Sequence, residues 1–220
     1  MNVPRKTTTI LALGFASLAA TTAVHAAEAG KGLYLYGAIG NSNAKFDQAQ
    51  IDDRLKSAGA TGVSSSLDQR YLGLKAMLGY QFQPGLSIEG GYVSLGKFNY
   101  NAKTTNVAGG FANGEIKVSG VNAALVKSYP VNPDFNFFAK IGALYAKSEI
   151  RVGSALGIAP GAVESRGHGY GPNLGLGFNI IVNPKTDVRF EFERFFRVGD
   201  KTTTGKPDID LLSVGMTYAF

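Results

Sequence analysis

Cysteine and tryptophan are absent from all 220 residues, and histidine occurs twice. The first absence excludes disulfides, thiolate metal sites and a cysteine nucleophile, and leaves the compartment open because many exported proteins lack disulfides. Charge is also scarce: 17% of residues are charged, against roughly a quarter in an ordinary chain. Yet beyond the N-terminal segment no apolar run approaches the roughly 18 residues that a membrane helix needs. A helical membrane protein is thereby excluded. With one histidine after residue 26 and only scattered carboxylates, no metal site and no cofactor is expected. Gly167, Gly169, Gly171, Gly175 and Gly177 miss the spacing of a dinucleotide loop and lead into a strand where that fold needs a helix.

What is present leans towards strands and turns: 29 Gly, 10 Tyr and 14 Phe against 8 Pro. The first residues read as a secretory signal peptide spanning 1–26, with basic Arg5 and Lys6, an apolar stretch from Ile10 to Ala20, and Val24-His25-Ala26 as the cleavage signal. Residues 27–220 then form one domain. Removing the leader takes away Arg5 and Lys6 and no acid, which lowers the formal charge from +6 to +4. Spread along an exported chain, that excess implies no nucleic-acid partner.

Past Ala27 the dominant signal is period two. Between Arg70 and Phe82, Leu72, Leu74, Ala76, Leu78, Tyr80 and Phe82 fall on one face, and Tyr71, Gly73, Lys75, Met77, Gly79 and Gln81 on the other. Val188, Phe190 and Phe192 likewise oppose Asp187, Arg189, Glu191 and Glu193. Near the end, Leu212, Val214, Met216, Tyr218 and Phe220 oppose Ser213, Gly215 and Thr217. A soluble sandwich would leave Gly79, Gly175, Gly177 and Gly215 on its wet face, where they have little use. A small membrane barrel turns the apolar face to lipid and fills its lumen with small residues and a few charges.

Eight such runs are present, at roughly 32–41, 70–82, 86–96, 115–129, 135–147, 169–182, 186–197 and 211–220. Short connections at Gln83-Pro84-Gly85, Pro130 to Asp134 and Asn183-Pro184-Lys185 alternate with long ones at 42–69, 97–114, 148–168 and 198–210. That is the layout of short periplasmic turns and long external loops. The expected fold is all-β, an eight-stranded antiparallel up-and-down transmembrane β-barrel, with the long connections as mobile external loops.

The segments GYQFQPGLSIEGGYVSLGK, SYPVNPDFNFFAKIGALYAK, VNPKTDVRFEFERFFRVGD and PDIDLLSVGMTYAF cover most of the chain and resemble the OmpA-type transmembrane β-barrel family. The resemblance implies the bacterial outer membrane. It also implies an assembly signal in Tyr218 and the terminal Phe220, read by the outer-membrane assembly machinery. The expected match is to the barrel alone, without the periplasmic peptidoglycan-binding domain into which larger members continue. Members also keep a lumen lysine near the Tyr-Pro turn. Here Val126 takes the inward position and Lys127 the outward one, where it would snorkel at the periplasmic interface.

The alternation places Lys75, Glu89, Lys140, Arg189, Glu191 and Glu193 in the lumen, with charges that sum to zero. Such a set favours mutual pairing over a one-sign selectivity ring. By resemblance, Glu89 and Arg189 belong to an interior ion-pair network that gates a narrow pore. The alternative is that the pairs only neutralise buried charge.

An enzymatic role is not expected. A lipid deacylase needs serine, histidine and an acid within reach, whereas His168, with Ser165 and Glu164 nearby, falls in a Gly-rich loop. Loop 42–69 carries mixed charges, and Ile51, Leu55 and Ala58 within it have helical spacing. Lys97, Lys147, Arg151, Arg194 and Arg197 lie near the outer rim, suited to lipopolysaccharide phosphates or to snorkelling. The function expected is a structural outer-membrane barrel and narrow gated pore for small solutes. The alternative is an adhesive or ligand-binding surface protein, whose loop partner the sequence does not name. Membrane lipid and lipopolysaccharide are the other partners expected.

Overall fold

Gly32 opens a run in which every second side chain is large and apolar, and the backbone answers with an extended strand. The computed structural model describes residues 32–46, 48–57, 61–103, 105, 111–155, 161–199 and 206–220; the expected signal peptide lies outside them. The strands are β1 (Gly32–Lys45), β2 (Ser64–Asp68), β3 (Arg70–Gln83), β4 (Leu86–Lys103), β5 (Phe111–Asn132), β6 (Phe135–Ala155), β7 (Gly161–Asn183), β8 (Thr186–Phe195) and β9 (Asp208–Ala219), with one helix, α1 (Gln48–Ser57). Pairing runs β4-β3-β1-β9-β8-β7-β6-β5, and β5 returns to β4, so eight antiparallel strands close a ring. Closure removes every strand edge, which is what lets a sheet sit in hydrocarbon with its backbone groups satisfied. Short β2 pairs only with the end of β4 and carries the line of β3 onward past Gln69, whose carbonyl accepts from the Ala44 N–H at 2.9 Å.

The short turns are built by local chemistry. At Pro84-Gly85 the proline sets the first corner and Gly85 takes a left-handed φ of 68°, which suits a residue without Cβ. The Ser128 N–H then donates to the Gly85 carbonyl at 2.7 Å, tying one turn to the neighbouring strand.

Alternation becomes two solvents. Leu72, Leu74, Leu78 and Tyr80 are exposed, whereas Gly73, Lys75, Met77 and Gly79 are buried. Leu35, Ile141, Leu176, Phe192, Leu212 and Met216 extend the outer apolar face around the ring. A continuous belt of this kind far exceeds the apolar patch a protein carries in water, and it fits a lipid-facing wall. Tyr71 departs from the sequence-based facing: it is 41% exposed and lies against Gly96 at the rim.

The long connections at 42–69, 97–114 and 148–168 are in large part not loops. β1 runs on to Lys45, β4 to Lys103 and β6 to Ala155, while β5 starts at Phe111 and β7 at Gly161. His168 accordingly sits on β7, stacked on Tyr145 at 5.7 Å, and not in a loop. The first connection folds as α1 and β2. Tyr100 donates to Asp52 Oδ1 at 2.5 Å and Ser65 to Oδ2 at 2.8 Å, Gln48 reaches Ser65, and Phe46 packs edge-on against Phe98 at 5.6 Å. Burial first, and then the bond to Asp52, pushes the Tyr100 hydroxyl up to about 12.

Candidate functional site

Eight strands leave an interior that side chains alone can fill, and here they fill it in three layers. Nearest the short turns is a polar vestibule of about 260 Å³, lined by Ser87, Ser128, Asn136, Asn179, Asp187 and Arg189 among others. Above it lies a charged layer, and above that a mainly apolar one.

Inward positions of β3, β4, β6 and β8 supply the charged layer. Arg189 Nη1 donates to Glu89 Oε1 at 2.5 Å. Lys140 Nζ lies 3.1 Å from Glu191 Oε1, 3.3 Å from Glu89 Oε2 and 3.5 Å from Glu193 Oε1. Lys75 binds Glu191 Oε2 at 2.9 Å and also pairs with Glu193. All six side chains are buried. The structure thus brings Lys75, Glu89, Lys140, Arg189, Glu191 and Glu193 into one contiguous set, with three cations facing three carboxylates.

Four residues that the sequence reading did not single out complete this layer. Tyr36 donates to Glu191 Oε2 at 3.0 Å, and Tyr34 donates to Glu89 Oε1 at 2.9 Å. Asn173 donates to Glu193. The Arg189 guanidinium lies between the rings of Phe138 and Tyr36, 3.9 and 4.5 Å from their centres, a stacking that suits its planar, weakly hydrated cation. The alternation in Leu33-Tyr34-Leu35-Tyr36 carries the signal for the two tyrosines. Nothing local marks Asn173 or Phe138 as partners of a charge.

Glycine makes the room. A Cβ on Gly79 would run into the Tyr34 ring, and one on Gly175 would press on Glu191 Oε1 at 3.3 Å and Lys140 Cβ at 3.4 Å. Without side chains at these points the long acids and bases can cross the lumen.

The apolar layer was not expected from the sequence. Leu95, Phe98, Val118, Leu144, Phe195, Ile209 and Leu211 are buried together towards the outer end, with buried Ser42, Asn122 and Ser148 among them, in register with Leu211, Leu144 and Val118. Lys127 points outward beside the Pro84 turn, with Nζ 3.5 Å from the Pro84 carbonyl oxygen, while Val126 is buried. Tyr218 and Phe220 are exposed on the outer wall at the turn end, their rings 5.6 Å apart. His168 and Ser165, three residues apart on β7, fall on opposite faces of the strand. Among the described residues no group of three or more His, Asp or Glu is arranged to hold a metal.

Known proteins resemble the chain in sequence and in fold. The model of the OmpA-like transmembrane domain matches residues 33–220. Outer membrane protein A of Yersinia pseudotuberculosis is 34% identical over 152 residues, covering 68% of this chain and 40% of that protein. Its counterpart in Salmonella typhi is 29% identical over 155 residues, or 69% of this chain and 41% of that protein. The chain thus spans well under half the length of these relatives. Among solved structures, Neisserial surface protein A aligns with a TM-score of 0.53 and 16% identity, over 88% of this chain and 100% of that one, a likeness of fold. A closed eight-stranded ring with a lipid-facing wall and a match along nearly all of the described chain have one reading: the chain belongs to the OmpA-like transmembrane domain family and is a β-barrel of the bacterial outer membrane.

Proposed function

We propose that the protein is a structural barrel held shut by its own lumen, which passes small solutes only when two barriers yield. The observation that carries this reading is the stacking of a charge-balanced layer, three cations against three carboxylates, beneath a mainly apolar one. Removing one partner of a buried pair leaves an uncompensated charge and costs about 3–5 kcal/mol, so the charged layer resists opening. Even an opened charge layer leads into a narrow, mainly apolar stretch, where an ion finds few ligands. The reading assigns no enzymatic role, since Ser165 and His168 diverge. It includes membrane lipid as partner, and the assembly machinery as the reader of Tyr218 and Phe220.

Single-channel recording of the refolded protein tests it. The expected record is silence broken by brief openings; a steady open level in the wild-type barrel would overturn the plug. If Arg189→Ala combined with Leu144→Ala stays silent while folded, the pore half of the proposal fails and the structural half stands.

A second reading, surface recognition, is favoured by one observation. β4 to β7 and α1 form an ordered platform at the outer end, with α1 anchored through Asp52. Loss of cell attachment on deletion of residues 48–57, with the barrel still folded, would support it.

A further inference from the structure

The vestibule beside the short turns carries a charge that the lumen does not answer. Every second position of β8 sends a charged side chain inward: Asp187, Arg189, Glu191 and Glu193. Glu191 and Glu193 are held by Lys75 and Lys140, and Arg189 by Glu89. Asp187 faces the vestibule and makes no hydrogen bond or ion pair with another described residue. Arg189 acts on it only through space. That guanidinium already holds Glu89 through Nη1, stands 3.8 Å from Glu191 through Nε and is stacked between Phe138 and Tyr36. In the vestibule and the charged layer together, four carboxylates therefore face three cations. The charges of the adjoining turns lie elsewhere. Lys127 rests its Nζ on the Pro84 carbonyl, and Asp134, Lys185 and the terminal Phe220 are exposed and outside the cavity wall.

The rest of the wall is neutral and of two kinds. Ser87, Ser128, Thr217 and Asn136 offer hydroxyl and amide oxygens, while Val126 and Ala219 offer hydrocarbon. A volume of about 260 Å³, against roughly 30 Å³ for one water of the liquid, has room for a molecule of several heavy atoms. A bare divalent cation does not suit it, because such an ion gathers six or more oxygen ligands, commonly from several carboxylates. An ammonium head needs acceptors for three N–H donors. One carboxylate with hydroxyls around it meets that need, and the hydrocarbon beside it suits an alkyl stem.

We propose that the vestibule binds a primary alkylammonium ion, with its head on Asp187 and its methylenes towards Val126 and Ala219. The charge-assisted bond to the carboxylate supplies most of the affinity, and the ligand restores the balance that Asp187 upsets. An anion of the same size is refused. The free nitrogens of Arg189, Nε and Nη2, are buried, and no other cationic side chain lines the cavity. The site goes beyond the plug and does not depend on it, since the ligand enters at the turn end and stops below the charged layer.

The test titrates n-butylammonium chloride into the full chain refolded in zwitterionic micelles, with the side-chain amide signals of Asn136 and Asn179 followed by NMR. Sodium butyrate and potassium chloride are titrated in parallel. The expected result is a saturable shift with butylammonium alone. Asp187→Asn should weaken binding about 10- to 100-fold, the range of one hydrogen bond to a charged group. Asp187→Glu should retain it, and Asp134→Asn, on a turn outside the cavity, should leave it unchanged. Matching curves for butylammonium and potassium would reduce the effect to screening and overturn the proposal. So would equal binding of butyrate, an unchanged affinity in Asp187→Asn, or an equal loss in Asp134→Asn. Mobility on unheated gels reports barrel closure separately. Should Asp187→Asn fail to close, the wild type decides: magnetisation transfer from the butylammonium methylenes to the Val126 methyl groups supports the site, and its absence at saturation overturns it. None of these readings involves conductance, so failure of the site and failure of the plug are told apart.

Discussion

Arg189 and Glu89 are 100 residues apart in sequence and meet at 2.5 Å, although their strands, β8 and β4, are four places apart in a ring of eight. The pair spans opposite walls. It fixes the bore at one depth in a way that neighbouring strands, already joined by backbone bonds, do not require.

Breaking that pair should cost stability. Arg189→Ala is expected to lower the unfolding free energy by about 3–5 kcal/mol, measured by urea titration in lipid vesicles. Glu89→Arg with Arg189→Glu should recover part of it. Because Lys140 also faces Glu89, at 3.3 Å, a flat response to Arg189→Ala calls for Lys140→Ala in the same background before the pairing is abandoned.

The lipid face should reject charge according to depth. Leu74→Arg is expected to cost about 2–4 kcal/mol near the midplane, whereas Tyr129→Arg, beside the short turn, should cost about 0–1 kcal/mol. Equal losses at the two positions, in the same titration, would contradict the assignment of the wall.

Gly79 gives a test of lumen packing. A methyl group there collides with the Tyr34 ring, while at Gly90 it meets nothing within 4 Å. Gly79→Ala should destabilise by about 1–3 kcal/mol and Gly90→Ala should be close to neutral. The reverse order would mean that the ring does not occupy the glycine's space.

The docking of α1 should fail at high pH. Tyr100 is raised from 10.0 to about 12, so its protonated hydroxyl stabilises the docked form fully below the unfolded value. That contribution is lost as pH rises from 10 towards 12. Proteolysis between residues 48 and 57 should accelerate over this window in the wild type and not in Tyr100→Phe, which lacks the titrating group and starts from a looser helix.

How much of this was legible depended on whether a period survives. From Leu72 to Tyr80 nothing interrupts the alternation, so which of Leu74 and Lys75 meets lipid can be read directly. Within β4 it cannot. The register shifts between Ser94 and Gly96, Gly96 adopts a φ of 98°, and the inward set changes from Val93 and Leu95 to Phe98 and Tyr100. A bulge adds one residue and reverses every facing beyond it. That is why the outer half of β4 read as loop and why Phe98 was not placed in the lumen. The charged layer depended less on such accidents, because Glu89, Lys140 and Arg189 lie in uninterrupted stretches. Its partners across the bore were not legible, since distance across a ring leaves no trace in spacing.

The seam between β1 and β9 brings the Phe220 N–H to 3.1 Å from the Leu33 carbonyl oxygen. The two ends of the described wall are thus close enough for a few residues to splice them. A circular permutant cut between β6 and β7 would keep every pairing of the ring while giving it a different final strand. Phe220 would remain a wall residue but no longer lie on the last strand. Its contribution to the wall and the address role proposed for it could then be measured apart.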